Sequence, residues 1–236
     1  MNRLPLGSSN KVNTLALIAA YNEADHITHV VRKAGAQLPV LVIDDGSSDR
    51  TAYLAKKAGA TVLSHEVNQG KGSALRTGLR WAIEQGYDGV VTLDGDGQHD
   101  PLEIPKFLAA YRAKRADLII GRRCFREMPF LRRVSNWIAR QGFSLVLGQA
   151  IPDNQSGYRL ISSPLIAELL SSHEVGFEFE VEMITICTQK NFKLDWVPIR
   201  TIYADEKSHI RPLQHSLNFV RVLWQTYRRL QRFERI

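Results

Sequence analysis

Cysteine is scarce in this chain. Cys124 and Cys187 are the two that occur, far apart and without a CxxC partner. A thiolate zinc site and a disulfide framework are thereby excluded, and a reducing cytosol is the expected compartment. The first residues, Met1 to Asn10, lack the apolar core of a signal peptide. No apolar run approaches the roughly 18 residues of a membrane span. The longest candidate, Leu15 to Tyr21, has the length of a core strand. His65, His99, His173, His209 and His215 show no HxxxH or HExxH spacing and read as surface residues or supports behind a site. Internal repeats and low-complexity linkers are also missing. A chain of 236 residues, 44% of them hydrophobic, therefore reads as one large domain with additions.

Charge is plentiful but uneven. The net charge is +7, and six of the arginines lie between Arg211 and Ile236 with one acid, Glu234. The acids gather instead around Asp44-Asp45 and between Asp94 and Asp100. A basic protein favours anionic partners. An acidic centre with a basic tail argues against nucleic acid and for a phosphorylated substrate or an acidic membrane surface.

Short apolar runs alternate with segments of helical period. Leu15–Ala19, Pro39–Ile43, Ala60–Leu63, Gly89–Leu93 and Asp117–Gly121 read as strands. Residues 24–37, a helix through Lys57 stopped by Gly59, 70–85 stopped by Gly86, and 102–115 read as the helices between them. That alternation predicts an α/β fold with a mostly parallel sheet flanked by helices. Beyond Gly121 the spacing predicts a mixed helix over 131–147, a polar loop from Asp153 running into a strand, a helix from Phe177 to Gln189 and a last strand over 195–203. A basic amphipathic helix over about 213–233 places Leu213, Leu217, Val220, Trp224 and Tyr227 on one face. The domains expected are a lead-in (1–12), a core domain (13–210) and a helical extension (211–236).

In parallel sheets ligands bind outside the carboxyl ends of the strands. Tyr21-Asn22-Glu23, Asp44-Asp45 and Asp94-Gly95-Asp96-Gly97-Gln98 all fall at such ends. Residues two apart in extended chain point the same way, so Asp94, Asp96 and Gln98 can face one cation. An all-oxygen site of that kind suits Mg²⁺ or Mn²⁺ carrying substrate phosphates. A ligand-free Asp/Gly turn is the simpler alternative. Asp44-Asp45 equally could cap a helix or accept hydrogen bonds from a nucleoside. Asn68-Gln69-Gly70-Lys71-Gly72 is no P-loop, because that motif needs glycine where His65 stands. It can still hold phosphate at a helix start, or be a plain turn. Arg122, Arg123, Arg126, Arg132 and Arg133 follow a strand end, where they suit either pyrophosphate binding or a solvated surface.

Together these stretches, with Gln155-Ser156-Gly157-Tyr158-Arg159, resemble family 2 glycosyltransferases of the GT-A fold over about residues 14–160. Within that family they are most similar to the dolichyl- and polyprenyl-phosphate mannosyl- and glucosyltransferases. One departure is Ala19, where relatives usually carry proline. The resemblance implies a GT-A (Rossmann-like) domain and an inverting, metal-dependent hexosyl transfer. The donor would be a GDP- or UDP-linked sugar and the acceptor a polyprenyl phosphate. It implies that Tyr21, Glu23 and Asp45 hold the nucleoside, with Asp44 among the residues that bind the nucleotide-sugar, and that Asp94, Asp96 and Gln98 hold the ion. Lys71, Arg123 and one of Arg132 or Arg133 would contact phosphate. Asp96 takes a catalytic role through the ion, and Asp153 is the first candidate base should the acceptor be a hydroxyl. The alternatives are a soluble or cell-envelope glycan hydroxyl as acceptor, a sugar-phosphate nucleotidyltransferase, or a nucleotide-sensing or membrane-docking module. A cytoplasmic protein touching the membrane face through residues 213–233 completes the expectation.

Overall fold

The computed structural model describes residues 12–123, 140–171 and 178–200. Residues 1–11 of the lead-in, Arg126, Arg132, Arg133, the first part (131–139) of the mixed helix expected over 131–147 and the C-terminal helix expected over 213–233 lie outside them.

Thr14–Ala20 (β1), Val40–Asp44 (β2), Thr61–Ser64 (β3), Gly89–Asp94 (β4) and Leu118–Arg123 (β5) are the predicted strands. Ile27–Gly35 (α1), Thr51–Lys57 (α2), Lys71–Glu84 (α3) and Ile104–Lys114 (α4) lie between them, the last preceded by a 3₁₀ turn over Pro101–Glu103. Residues 140–147 are helical (α5), and Arg159–Ser162 (β6), Ser163–Leu169 (α6), Glu178–Gln189 (α7) and Leu194–Ile199 (β7) follow. Helix α6 carries no strong sequence signal and had not been expected. The last strand ends at Ile199, within the described residues.

The seven strands form one sheet in the order β3-β2-β1-β4-β6-β5-β7. Every pairing is parallel except those of β6, which runs antiparallel to both β4 and β5. Arg159 opens β6 opposite Thr92 and Ile120. A reversed strand begins where its parallel neighbours end. The loop over 153–158 therefore arrives at the same rim as the ends of β1, β2, β4 and β5.

Both faces of the sheet are covered. Leu15, Leu17, Leu41 and Ile43 pack with Leu75, Leu79, Leu165 and Ile184 on one side. Ala16, Ile18, Val42 and Val91 pack with Val30, Val31, Ile104 and Phe107 on the other. Strands buried on two faces read as continuous apolar runs, which is why their short stretches stood out. Each fully buried Leu or Ile contributes about 1.5–3 kcal/mol, and that burial fixes where the polar strand ends emerge.

Candidate active site

At the end of β1, Asn22 sits at φ 57 and is tied to the turn after β2. Its amide donates to Ser47 Oγ (2.9 Å), and its Oδ1 accepts from the Ser48 amide (2.9 Å). The Glu23 amide donates to Thr51 Oγ1 (2.8 Å). Tyr21 is 48% exposed beside them. Glu23 lies against the β4 turn, since a Cβ on Gly95 would be 3.2 Å from Glu23 Cγ.

The acidic pair after β2 divides its work. Asp45 does not cap α2; the Thr51 amide at the helix start donates to Asp49 Oδ1 (2.8 Å). The Asp45 carboxylate instead accepts from the amides of Gln69 (3.0 Å) and Gly70 (2.8 Å) and from His65 Nδ1 (2.7 Å). It thus holds the turn that launches α3 and Lys71. Gly46, at φ +73, passes so close to this turn that a Cβ would be 2.6 Å from Asn68 N. Asp44 is buried, and one of its oxygens has no hydrogen-bond partner among the described residues.

Lys71 meets the end of β4. Its Nζ is 2.6 Å from Asp94 Oδ1 and 2.8 Å from Glu180 Oε1 on α7. Burial works against the ammonium, but the two carboxylates outweigh it and raise its pKa. Asp94 is likewise pushed up by burial and pulled further down by Lys71, His99 and Arg123, so it stays ionised. Burial, then the charge of Asp94, raises Asp96, whose Oδ1 accepts from the Gln98 amide at 2.9 Å. Behind the turn, His99 Nδ1 accepts from the Asp94 amide (3.3 Å), and burial lowers its pKa, favouring the neutral ring this bond requires. The Tyr158 ring, sandwiched between His99 and Phe107, donates from its hydroxyl to Asp100 O (3.2 Å).

Arg123, at the end of β5, faces Asp153 with two parallel bonds: Nε to Oδ2 (2.8 Å) and Nη2 to Oδ1 (3.0 Å). Asp153 is 1% exposed and also accepts from the amides of Arg123, Gln155 and Ser156. Five donors on a buried carboxylate describe a group that aims Arg123 and shapes its loop, a poor geometry for a base. Arg159, fully buried, donates to the carbonyls of Ser156 (2.8 Å), Asn154 (3.2 Å) and Glu180. It ties the loop to the start of α7. Burial lowers its pKa, with Glu180, Asp153 and Asp94 opposing.

Tyr21, Glu23, Asp44, Asp45, Lys71, Asp94, Asp96, Gln98, Arg123 and Asp153 thus share one rim of the sheet. Glu180 and the bridging part of Arg159 were not foreseen. The signal for Glu180 was present as an acid repeated in an apolar helix, Phe179-Glu180-Val181-Glu182-Met183, where burial demands a partner. His65 and His99 are supports behind the site, not surface residues. Cys187 is buried, and burial pushes its thiol up to about 12, which removes it as a nucleophile. Among the described residues no three His, Cys, Asp or Glu side chains converge as a metal cluster, and no helix is long and apolar enough to cross a membrane.

A largely parallel sheet with an Asp-Gly-Asp turn at its carboxyl rim, faced by a paired lysine and arginine, defines a glycosyltransferase of the GT-A type. The chain belongs to glycosyl transferase family 2, whose family model matches residues 16–170. It is 30% identical over 203 residues to an undecaprenyl-phosphate mannosyltransferase of Micrococcus luteus, covering 80% of this chain and 83% of that one. It is 30% identical over 215 residues to a UDP-N-acetylglucosamine–dolichyl-phosphate N-acetylglucosaminyltransferase of Methanococcus voltae, covering 80% and 85%. Its fold is similar to that of glucosyl-3-phosphoglycerate synthase from Mycobacterium tuberculosis, with a TM-score of 0.70, 20% identity, and coverage of 95% of this chain and 85% of that one. That crystal held Mn²⁺, uridine diphosphate and glucosyl-3-phosphoglycerate.

Proposed function

We propose that this glycosyltransferase moves a hexose from a GDP- or UDP-linked donor to a polyprenyl phosphate, with inversion, using Mg²⁺ or Mn²⁺. The observation that carries the reading is the meeting of Lys71, Asp94 and Asp96 at the carboxyl rim, with Arg123 on the same edge. Two relatives named for undecaprenyl- and dolichyl-phosphate acceptors support the choice of acceptor.

Asp94 and Asp96 fit an oxygen-seeking divalent ion. Both are carboxylates of one turn, and burial and then the charge of Asp94 raise the pKa of Asp96, a desolvation and repulsion that a cation relieves. Gln98, two residues on, would add a neutral oxygen. The bound ion would supply positive charge against the leaving diphosphate. Tyr21, Glu23 and Asp44 would border the nucleoside, while Asp45 shapes the pocket through the turn at 69–70. Lys71 would place an ammonium near the donor phosphates, and Arg123 would offer two parallel N–H groups held in plane by Asp153. Arg132 or Arg133 would add a further phosphate contact. The acceptor oxygen then attacks the anomeric carbon in line as nucleoside diphosphate departs.

The state of Asp153 favours a phosphate acceptor over a hydroxyl. A hydroxyl needs a base, and the carboxylate first expected to serve is engaged by five hydrogen bonds. A lipid phosphate is already ionised. Residues 213–233 would meet the membrane face that carries such a lipid.

Purified protein incubated with nucleotide-sugars, Mn²⁺ and either a polyprenyl phosphate or a glycan tests the reading. Sugar on the lipid and free nucleoside diphosphate are expected. Sugar on the glycan alone would replace the acceptor assignment, and release of pyrophosphate would make the protein a nucleotidyltransferase. A thermal-shift screen of nucleotide-sugars identifies base and sugar, because a ligand that binds only the native state raises its melting point.

A further inference from the structure

Glu180 lies on α7, beyond the 16–170 stretch that the family model matches, yet its carboxylate reaches the floor of the site. It is 4% exposed. Lys71 Nζ stands between Glu180 Oε1 at 2.8 Å and Asp94 Oδ1 at 2.6 Å. The three charged groups converge on one backbone position: a Cβ on Gly157 would be 2.9 Å from Asp94 Oδ2, from Glu180 Oε1 and from Lys71 Nζ. The start of α7 is fixed there, because the Glu180 carbonyl accepts from the buried Arg159 guanidinium.

Asp94 therefore faces two demands. It partners Lys71, and it is a proposed ligand of the divalent ion. An ammonium held by Asp94 alone would compete with that ion for its oxygens. A second buried anion removes the competition by keeping the ammonium anchored when Asp94 turns to the ion. We propose that Glu180 is a positioning residue for the cation site, retaining Lys71 so that Asp94 is free to bind the ion. This rests on the cation reading of Asp94 and Asp96.

The test measures Mn²⁺ affinity by the electron paramagnetic resonance of free Mn²⁺, with saturating UDP or GDP, no acceptor and no turnover. Glu180→Gln is expected to weaken Mn²⁺ binding about tenfold. Glu180→Asp keeps the charge but withdraws it by one methylene, and is expected to weaken binding comparably. In a Lys71→Met background, where no ammonium needs holding, Glu180→Gln is expected to change affinity by less than about twofold. Equal losses in both backgrounds would reduce Glu180 to a distant negative charge, and unchanged affinity in Glu180→Gln would remove it from the site; either result overturns the proposal. Gly157→Ala supplies an independent arm, since its methyl would press on all three groups and should also weaken Mn²⁺ binding when Lys71 is present. Should Glu180→Gln fail to fold, as judged by thermal unfolding, Glu180→Asp and Gly157→Ala decide the matter by the same criteria. Failure of the unsubstituted protein to bind Mn²⁺ with either nucleotide would refute the cation reading itself, a result distinct from loss of the Glu180 effect alone.

Discussion

Arg123 and Asp153 form a two-point ion pair, with N···O distances of 2.8 and 3.0 Å, at the rim where the sheet presents its carboxyl ends. The pair spans the end of β5 and the loop before β6. The aim of the guanidinium thus depends on a carboxylate that is itself locked by three backbone amides. Asp153→Asn keeps the shape but loses the charge. Its expected cost is about 10–100-fold in turnover, read from kcat and KM on the same donor. Loss of a catalytic base would cost about 10²–10⁴-fold, so a collapse at the upper end of that range would restore Asp153 to the chemistry.

Asp94→Ala and Asp96→Ala should abolish transfer and weaken metal-dependent binding of the nucleotide. Isothermal titration with UDP or GDP, with and without Mn²⁺, reads the second effect. Unchanged turnover in Asp96→Ala would sink the metal assignment.

Asp45→Ala removes the acceptor of the Gln69 amide and of His65 Nδ1, and one of the two acceptors of the Gly70 amide, the other being Asn68 Oδ1. These donors are exposed or half-buried, so each lost hydrogen bond is worth about 0.5–1.5 kcal/mol. Urea denaturation should therefore show a stability loss of about 1–3 kcal/mol. Lys71 begins the helix this turn launches, so affinity for the donor should fall in the same variant.

Gly46 combines φ +73 with a neighbouring backbone at 2.6 Å from any Cβ. Gly46→Ala asks for a strained left-handed residue and for movement of the 67–68 backbone. A loss of about 2 kcal/mol or more is expected from the denaturation midpoint. An unchanged midpoint would mean that the two loops can separate without cost.

Removing residues 213–236 tests the membrane contact. Cosedimentation with anionic vesicles should fall for the truncated protein and remain for the full chain. Equal binding by both would leave that segment no interfacial role.

Much of the fold was readable because its signals are local. The runs Leu15–Ala19 and Gly89–Leu93 are short, apolar and closed by polar turns, and each is a strand buried on both faces. Asp94, Asp96, Asp44, Asp45 and Arg123 stood at strand ends in the chain, and the parallel topology carries strand ends to one rim. What the local pattern left open involved partners distant in sequence. For Asp45 the run Ser47-Ser48-Asp49 left a helix cap and a ligand contact equally open, yet its carboxylate reaches to Gly70 while the Thr51 amide bonds Asp49. Asp153 stood as a candidate base because nothing near it in sequence foretold five donors.

Hydrophobic period and turn chemistry are properties of a few consecutive residues, so this chain carried its alternating α/β order and its Asp-Gly-Asp turn in plain sight. Only the tertiary structure placed β6 in reverse between β4 and β5, bringing the 153–157 loop onto the rim, and only it delivered Glu180 to Lys71. Those contacts depend on which strand pairs with which and on where a helix docks. Such choices are made by burial summed over the whole sheet rather than by any local pattern.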